Sequence, residues 1–91
     1  MENRVIEANG AQHYIYTKQF HSNRSDFLKG QERDRRKLAY CLANGIEAYC
    51  IPYWEIGNIT KLEDLFQDKF LARSKFHNDE VWRHQNHKQD S

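Results

Sequence analysis

The sequence predicts a small α/β domain with the element order β-β-α-β-α, and three observations carry that prediction. "RVIEANG" and "IEAYCIPYW" are short runs rich in β-branched and aromatic residues. Between them "SDFLKGQERDRRKLAYCLANG" has helical start and stop signals at its two ends. The chain of 91 residues, 38% hydrophobic, suits one domain with a core near the lower limit for independent stability. Three strands and two helices fit a sheet layer with helices packed against it.

The elements follow in chain order. Val5 and Ile6 favour a first strand, and Asn9-Gly10 marks a sharp change of direction after it. "HYIYT" alternates His13, Ile15 and Thr17 against Tyr14 and Tyr16, a period-two pattern expected of a second strand, so a hairpin or bent strand fits. Ser25 is the expected N-cap of the helix, with Asp26 in its first turn complementing the dipole and Asn44-Gly45 as its stop. Gly30 weakens the helix interior without breaking it. Pro52, lacking an N–H, belongs at a strand end or an unpaired edge. Thr60 to Glu63 has capping-box spacing ahead of Leu62, Leu65, Phe66 and Phe70, which would share one helical face. Phe76, Val81 and Trp82 dock a short helix, and the last residues fray. Residues 1–60 form the expected core and 61–91 a helix and polar tail packing on it.

Composition excludes several classes. Fourteen basic residues against 13 acidic ones give a formal net charge of +1, with no global nucleic-acid footprint. Cys41 and Cys50 form neither a disulfide framework nor a CxxC pair, as expected of reduced thiols in a cytoplasmic protein. No signal-peptide pattern and no apolar run of membrane length is present.

Three residues sit where their chemistry is unexpected. Asp34 lies seven residues after Phe27 and four before Leu38, with Cys41 and Leu42 further along the same face. A carboxylate on an apolar stripe needs a hydrogen bond, a cation or a partner charge. The ordinary alternative is an Asp that anchors a nearby Arg. Glu7 follows two β-branched residues on a strand, where solvated edge charge is the ordinary alternative. His13 lies just past the Asn9-Gly10 bend, suited either to general-base work or to structural hydrogen bonding. Phosphodiester cleavage explains all three together, since a divalent ion needs carboxylate oxygens and the attacking water needs a base. Lys18, Arg24, Lys29, Arg33, Arg35, Arg36 and Lys37 would then contact phosphates, although a solvated charged helix face is the ordinary reading of such a run. His21, His77, His84 and His87 are assigned no role.

At "VIEANGAQH", "QERDRRK" and "NGIEAYCIPYWE" the sequence resembles the very-short-patch repair endonucleases and the related EDxHD phage homing endonucleases of the PD-(D/E)XK superfamily. The resemblance runs from residue 4 to about residue 60. It implies a DNA endonuclease using Mg²⁺ or Mn²⁺ in a bacterial or phage-infected cell. His13 matches the catalytic histidine, Asp34 the helix aspartate, and Glu7 the acidic position of the core strand. Asn9 stands where many relatives have Asp, and would offer a metal one carbonyl oxygen without charge. Relatives carry a principal metal-binding aspartate on a preceding hairpin arm. With Met1 at the turn, the sequence is expected to lack that strand and to expose a sheet edge. A second copy or a separately encoded N-terminal segment would cover that edge by strand addition. The alternative is an inactive, nuclease-derived module binding nucleic acid or a host protein.

Overall fold

β2 (Glu47–Pro52) is the centre of the molecule, and its sequence explains why. Five consecutive residues, Ala48 to Pro52, are buried, and such an uninterrupted run belongs to a strand covered on both faces. In the computed structural model, which describes residues 3–10, 13–14 and 23–89, β1 (Arg4–Asn9) pairs with β2 in parallel. The register aligns Val5 with Ala48, Glu7 with Cys50 and Asn9 with Pro52. On the other side of β2, Leu71 makes an antiparallel bridge to Tyr49, and the Ala72 N–H donates to the Ala48 carbonyl at 2.8 Å.

Parallel neighbours need a crossover, and α1 (Arg24–Ala43) supplies it. The helix begins two residues earlier than Ser25 suggested: Asn23 is the N-cap, its side-chain oxygen accepting from the Asp26 N–H at 3.0 Å. At the other end Gly45 takes φ +68°, the left-handed conformation expected after Asn44. Phe27 and Leu38 are buried as the stripe requires, whereas Leu42 is 42% exposed. The strand period of two then divides the core. Ala48 and Cys50 meet Leu38, Cys41 and Ala72, while Tyr49 and Ile51 meet Phe70, Leu65 and Phe66 on the opposite face.

Further expectations need correction. The hairpin is not formed among the described residues: His13 and Tyr14 lie in a tight turn, with the His13 N–H donating to the Gly10 carbonyl at 3.1 Å. The rest of the expected second strand, Ile15 to Thr17, lies outside the described residues. The described order is therefore β-α-β followed by 3₁₀ segments and a helix.

The segment from Thr60 also departs from a continuous helix, forming 3₁₀ turns at Leu62–Phe66 and Asp68–Phe70 after an earlier one at Tyr53–Asn58. Asp64, not Glu63, folds back on Thr60, accepting from its N–H and its hydroxyl at 3.0 and 3.1 Å. Gln67 is extended, and the chain must extend again at Leu71 and Ala72 to reach β2. Sheet contact therefore overrides the helical period. The last helix, α2 (His77–Gln89), is longer than the short docked piece expected, with Asp79 and Glu80 in its first turn. No helix among the described residues is long and apolar enough to cross a membrane.

Burial gives a direct test. Ile51, 2% exposed, should cost about 2–5 kcal/mol when cut to Ala. Leu62, 69% exposed, should change stability by no more than about 0.5 kcal/mol, although an unbroken helix would have placed it in the core. Urea denaturation of the two variants measures both.

Candidate functional site

The β1–β2 register puts Glu7 and Asn9 on the face turned to α1, above the small residues Ala48 and Cys50. Small side chains there leave space that larger ones would fill. A cleft of about 20 Å³ results, lined by Glu7 and Asn9 from β1, Asp34 and Lys37 from α1, and Asn78 from α2. That volume admits one water molecule or one ion. An organic substrate would have to lie across its mouth.

Asp34 reaches this cleft from the middle of α1. Its Oδ2 is 2.8 Å from His13 Nδ1, with the two side chains 16% and 26% exposed. The Asp34 hydrogen bond raises the His13 pKa above the ordinary imidazole value, burial opposes the rise, and Lys37 opposes it further. With Nδ1 donating to Asp34, the neutral ring presents a proton-free Nε2, the arrangement of an oriented general base. His13 is held from behind by its neighbour. Tyr14 is buried against Trp54, Trp82 and Tyr53, with ring centroids 5.2, 6.1 and 6.0 Å away.

Asn9 is 2% exposed and fully engaged on its amide side. Its Nδ2 donates to the Tyr14 hydroxyl at 3.1 Å and to Asn78 Oδ1 at 3.3 Å. Both N–H donors are thus taken, and the carbonyl oxygen is the one side-chain atom of Asn9 that could serve a cation. Glu7 lies 3.8 Å from Lys37 Nζ. Burial, and then the charges of Glu7 and Asp34, push the Cys50 thiol up to about 12, so it stays protonated and takes no part as a thiolate.

Among the described residues no three His, Cys, Asp or Glu side chains are grouped to hold an ion. Magnesium shared with a substrate phosphate needs only one or two carboxylates, and Glu7 and Asp34 on one cleft meet that smaller requirement.

The structure thus brings Glu7, Asn9, His13 and Asp34 together. The basic residues divide. Lys18 lies outside the described residues. Arg24 and Lys29 are exposed at the start of α1, and Lys29, Arg33 and Arg36 share a shallow surface with Asp26 and Glu32. Arg35 turns inward instead: its Nη2 and Nε lie 2.6 and 3.1 Å from Asp79 Oδ2, joining α1 to α2. Lys37, expected with the outward phosphate contacts, lines the cleft instead, 3.8 Å from Glu7, and its place three residues after Asp34 is the signal that would have put it there. Tyr14 and Asn78 were missed. Asn78 comes from 69 residues beyond Asn9, and no local pattern announces so distant a contact.

Comparison with known proteins adds relatives without adding an activity. Over 48 residues, 53% of this chain, it is 40% identical to "Uncharacterized protein 307L" of Invertebrate iridescent virus 6. Over 48 residues it is 38% identical to "Uncharacterized protein 033L" of Invertebrate iridescent virus 3. The matched stretches are 24% and 25% of those proteins, so the chain spans about a quarter of the curated relatives it matches. No family model matches the chain, and no solved structure matches it.

The Asp34 bond is testable by NMR titration of His13. Wild-type His13 should titrate above about 6.5, and Asp34→Asn should lower its midpoint toward that value. Because the folded-state pKa is raised, the pair's stabilisation is fully present below about pH 6.5 and lost as pH rises through the folded value. An unchanged midpoint in the variant would refute the assignment.

Proposed function

We propose that this chain is a nuclease of the very-short-patch repair and EDxHD kind, hydrolysing DNA phosphodiesters with a divalent ion. The observation that carries the reading is the convergence of Glu7, Asn9, Asp34 and Lys37 on one ion-sized cleft with His13 hydrogen-bonded to Asp34. The groups needed for phosphodiester attack are of the right types: oxygen donors for a cation, an oriented base for water, and an ammonium for phosphate charge.

In this reading His13 Nε2 takes the proton of the attacking water, and Asp34 fixes the ring and stabilises the imidazolium that forms. Lys37 offsets the charge of the phosphoryl oxygens at the cleft mouth. Arg33 and Arg36, on the exposed face of α1, position the DNA backbone through phosphate contacts. Glu7 and Asp34, beside the Asn9 carbonyl, would hold a magnesium or manganese ion, whose chemistry is to polarise the phosphodiester. Among the described residues β1 is paired on one side, by β2, and a second copy or a separately encoded strand adding to its other edge belongs to this proposal.

One observation favours a second reading, an inactive module that binds nucleic acid or a host protein. Asn9 gives an uncharged oxygen, and its amide group is tied into the buried network of Tyr14 and Asn78. A cleft with two carboxylates and a competing lysine holds a cation weakly.

Plasmid cleavage by the purified chain with Mg²⁺ or Mn²⁺ is the test. The nuclease reading expects metal-dependent nicking, about 10²–10⁴-fold slower in His13→Ala. The wild-type rate should rise with pH through an ionisation above about 6.5, as the base loses its proton. Absence of cleavage at every metal and pH would overturn activity of the chain by itself. It would leave the nuclease completed by a separately encoded strand and the binding module, which a search for that strand's partner then separates.

A further inference from the structure

α2 is pinned to the domain by a histidine. From His77 to Gln85, His77 alone is fully buried, 7% exposed, and its Nε2 has no hydrogen-bond partner among the described residues. An apolar side chain would fill the same place without leaving a polar atom unmatched. The ring stands at the first residue of the helix, beside the positive end of the helix dipole, which opposes a like charge. The two residues that follow join α2 to the site already described. Asn78 Oδ1 accepts from Asn9 at 3.3 Å, and Asp79 holds Arg35 at 2.6 Å. One turn further, Trp82 meets Tyr14 and Trp54.

The groups around the ring leave an added proton unanswered. From the 3₁₀ segments come Glu55 and Lys69, which already face each other at 3.1 Å. In the turn ahead of α2, Arg73 is held by Asp68 and Lys75 lies over the Phe76 ring. β2 contributes uncharged Pro52. α2 itself offers Glu80 and His84, both exposed, while Asp79 is taken by Arg35. Glu80 favours the imidazolium, but burial outweighs it and holds His77 below the ordinary imidazole value. A charged ring in this place would be a buried cation with an unsatisfied N–H. We propose that His77 is an acid-sensitive latch, whose protonation undocks α2 and so frees Asn9 from Asn78 and Arg35 from Asp79. The latch concerns docking of the helix and stands whether or not the chain cleaves DNA.

The sign follows from the lowered value. Docking is at full strength above about pH 6.5 and weakens as pH falls toward the folded pKa. His13 acts in the opposite sense, since its bond to Asp34 strengthens as pH falls, and it cannot produce the same loss. Amide hydrogen exchange of the full chain, followed by NMR from pH 7.5 to 5 and corrected for the intrinsic pH dependence of exchange, reads the opening. Protection of Val81, Trp82 and Arg83 should fall about tenfold per pH unit below about 6.5, down to the folded pKa. His77→Gln, polar but never charged, should flatten that slope. Protection that stays constant to pH 5 in the wild type, or falls equally in His77→Gln, would overturn the proposal. So would α2 amides exchanging no faster than those of β2 at any pH, because the helix would then open only with the whole domain. The wild-type profile decides the matter even if His77→Gln fails to fold.

Discussion

The hydrogen bond between Asp34 and His13 is the constraint on which the rest of the site depends. It joins the middle of α1 to a turn that follows β1, two pieces of chain 21 residues apart. An aspartate that far inside the helix–sheet interface is stable only when its charge is answered, and His13 answers it across 2.8 Å. The bond also fixes which imidazole nitrogen is free. One contact therefore sets both the position of the turn and the chemistry available to it.

The remaining structure holds that contact in place. β2 packs Ala48 and Cys50 against α1 and Tyr49 and Ile51 against the 3₁₀ segments, so the sheet is clamped from both faces. Small residues toward α1 keep the cleft open, and larger ones on the other side supply most of the burial. Tyr14 ties the turn to Trp54 and Trp82, while the Asn9 amide ties β1 to Tyr14 and α2. Arg35 and Asp79 then lock α2 to α1. α2 thus braces the site from behind, with Asn78 on the cleft wall and Trp82 in the aromatic cluster.

Local signals made much of this legible. β1, α1 and β2 follow from β-branched runs, cap residues and the Asn44-Gly45 stop, all of which act over a few residues. The inward aspartate followed from helical spacing, whereas its hydrogen bond to His13, rather than to a nearby Arg, did not. Legibility failed where distant contacts decide local form. Thr60 to Phe70 carries a helical period, yet Leu71 and Ala72 must pair with β2, and the chain breaks into 3₁₀ turns to deliver them. Arg35 resembled its basic neighbours because Asp79, 44 residues later, is invisible to a local reading. Asn78 was hidden for the same reason.

The measurement that bears most directly on this account is a double-mutant cycle between His13 and Asp34, read by urea denaturation at pH 6 and repeated at pH 9. A coupling of about 1–2 kcal/mol at the lower pH, shrinking at the higher, is the result expected of a charge-assisted bond between them. Additive losses at both pH values would mean that the two side chains act separately, and the site as described would not exist.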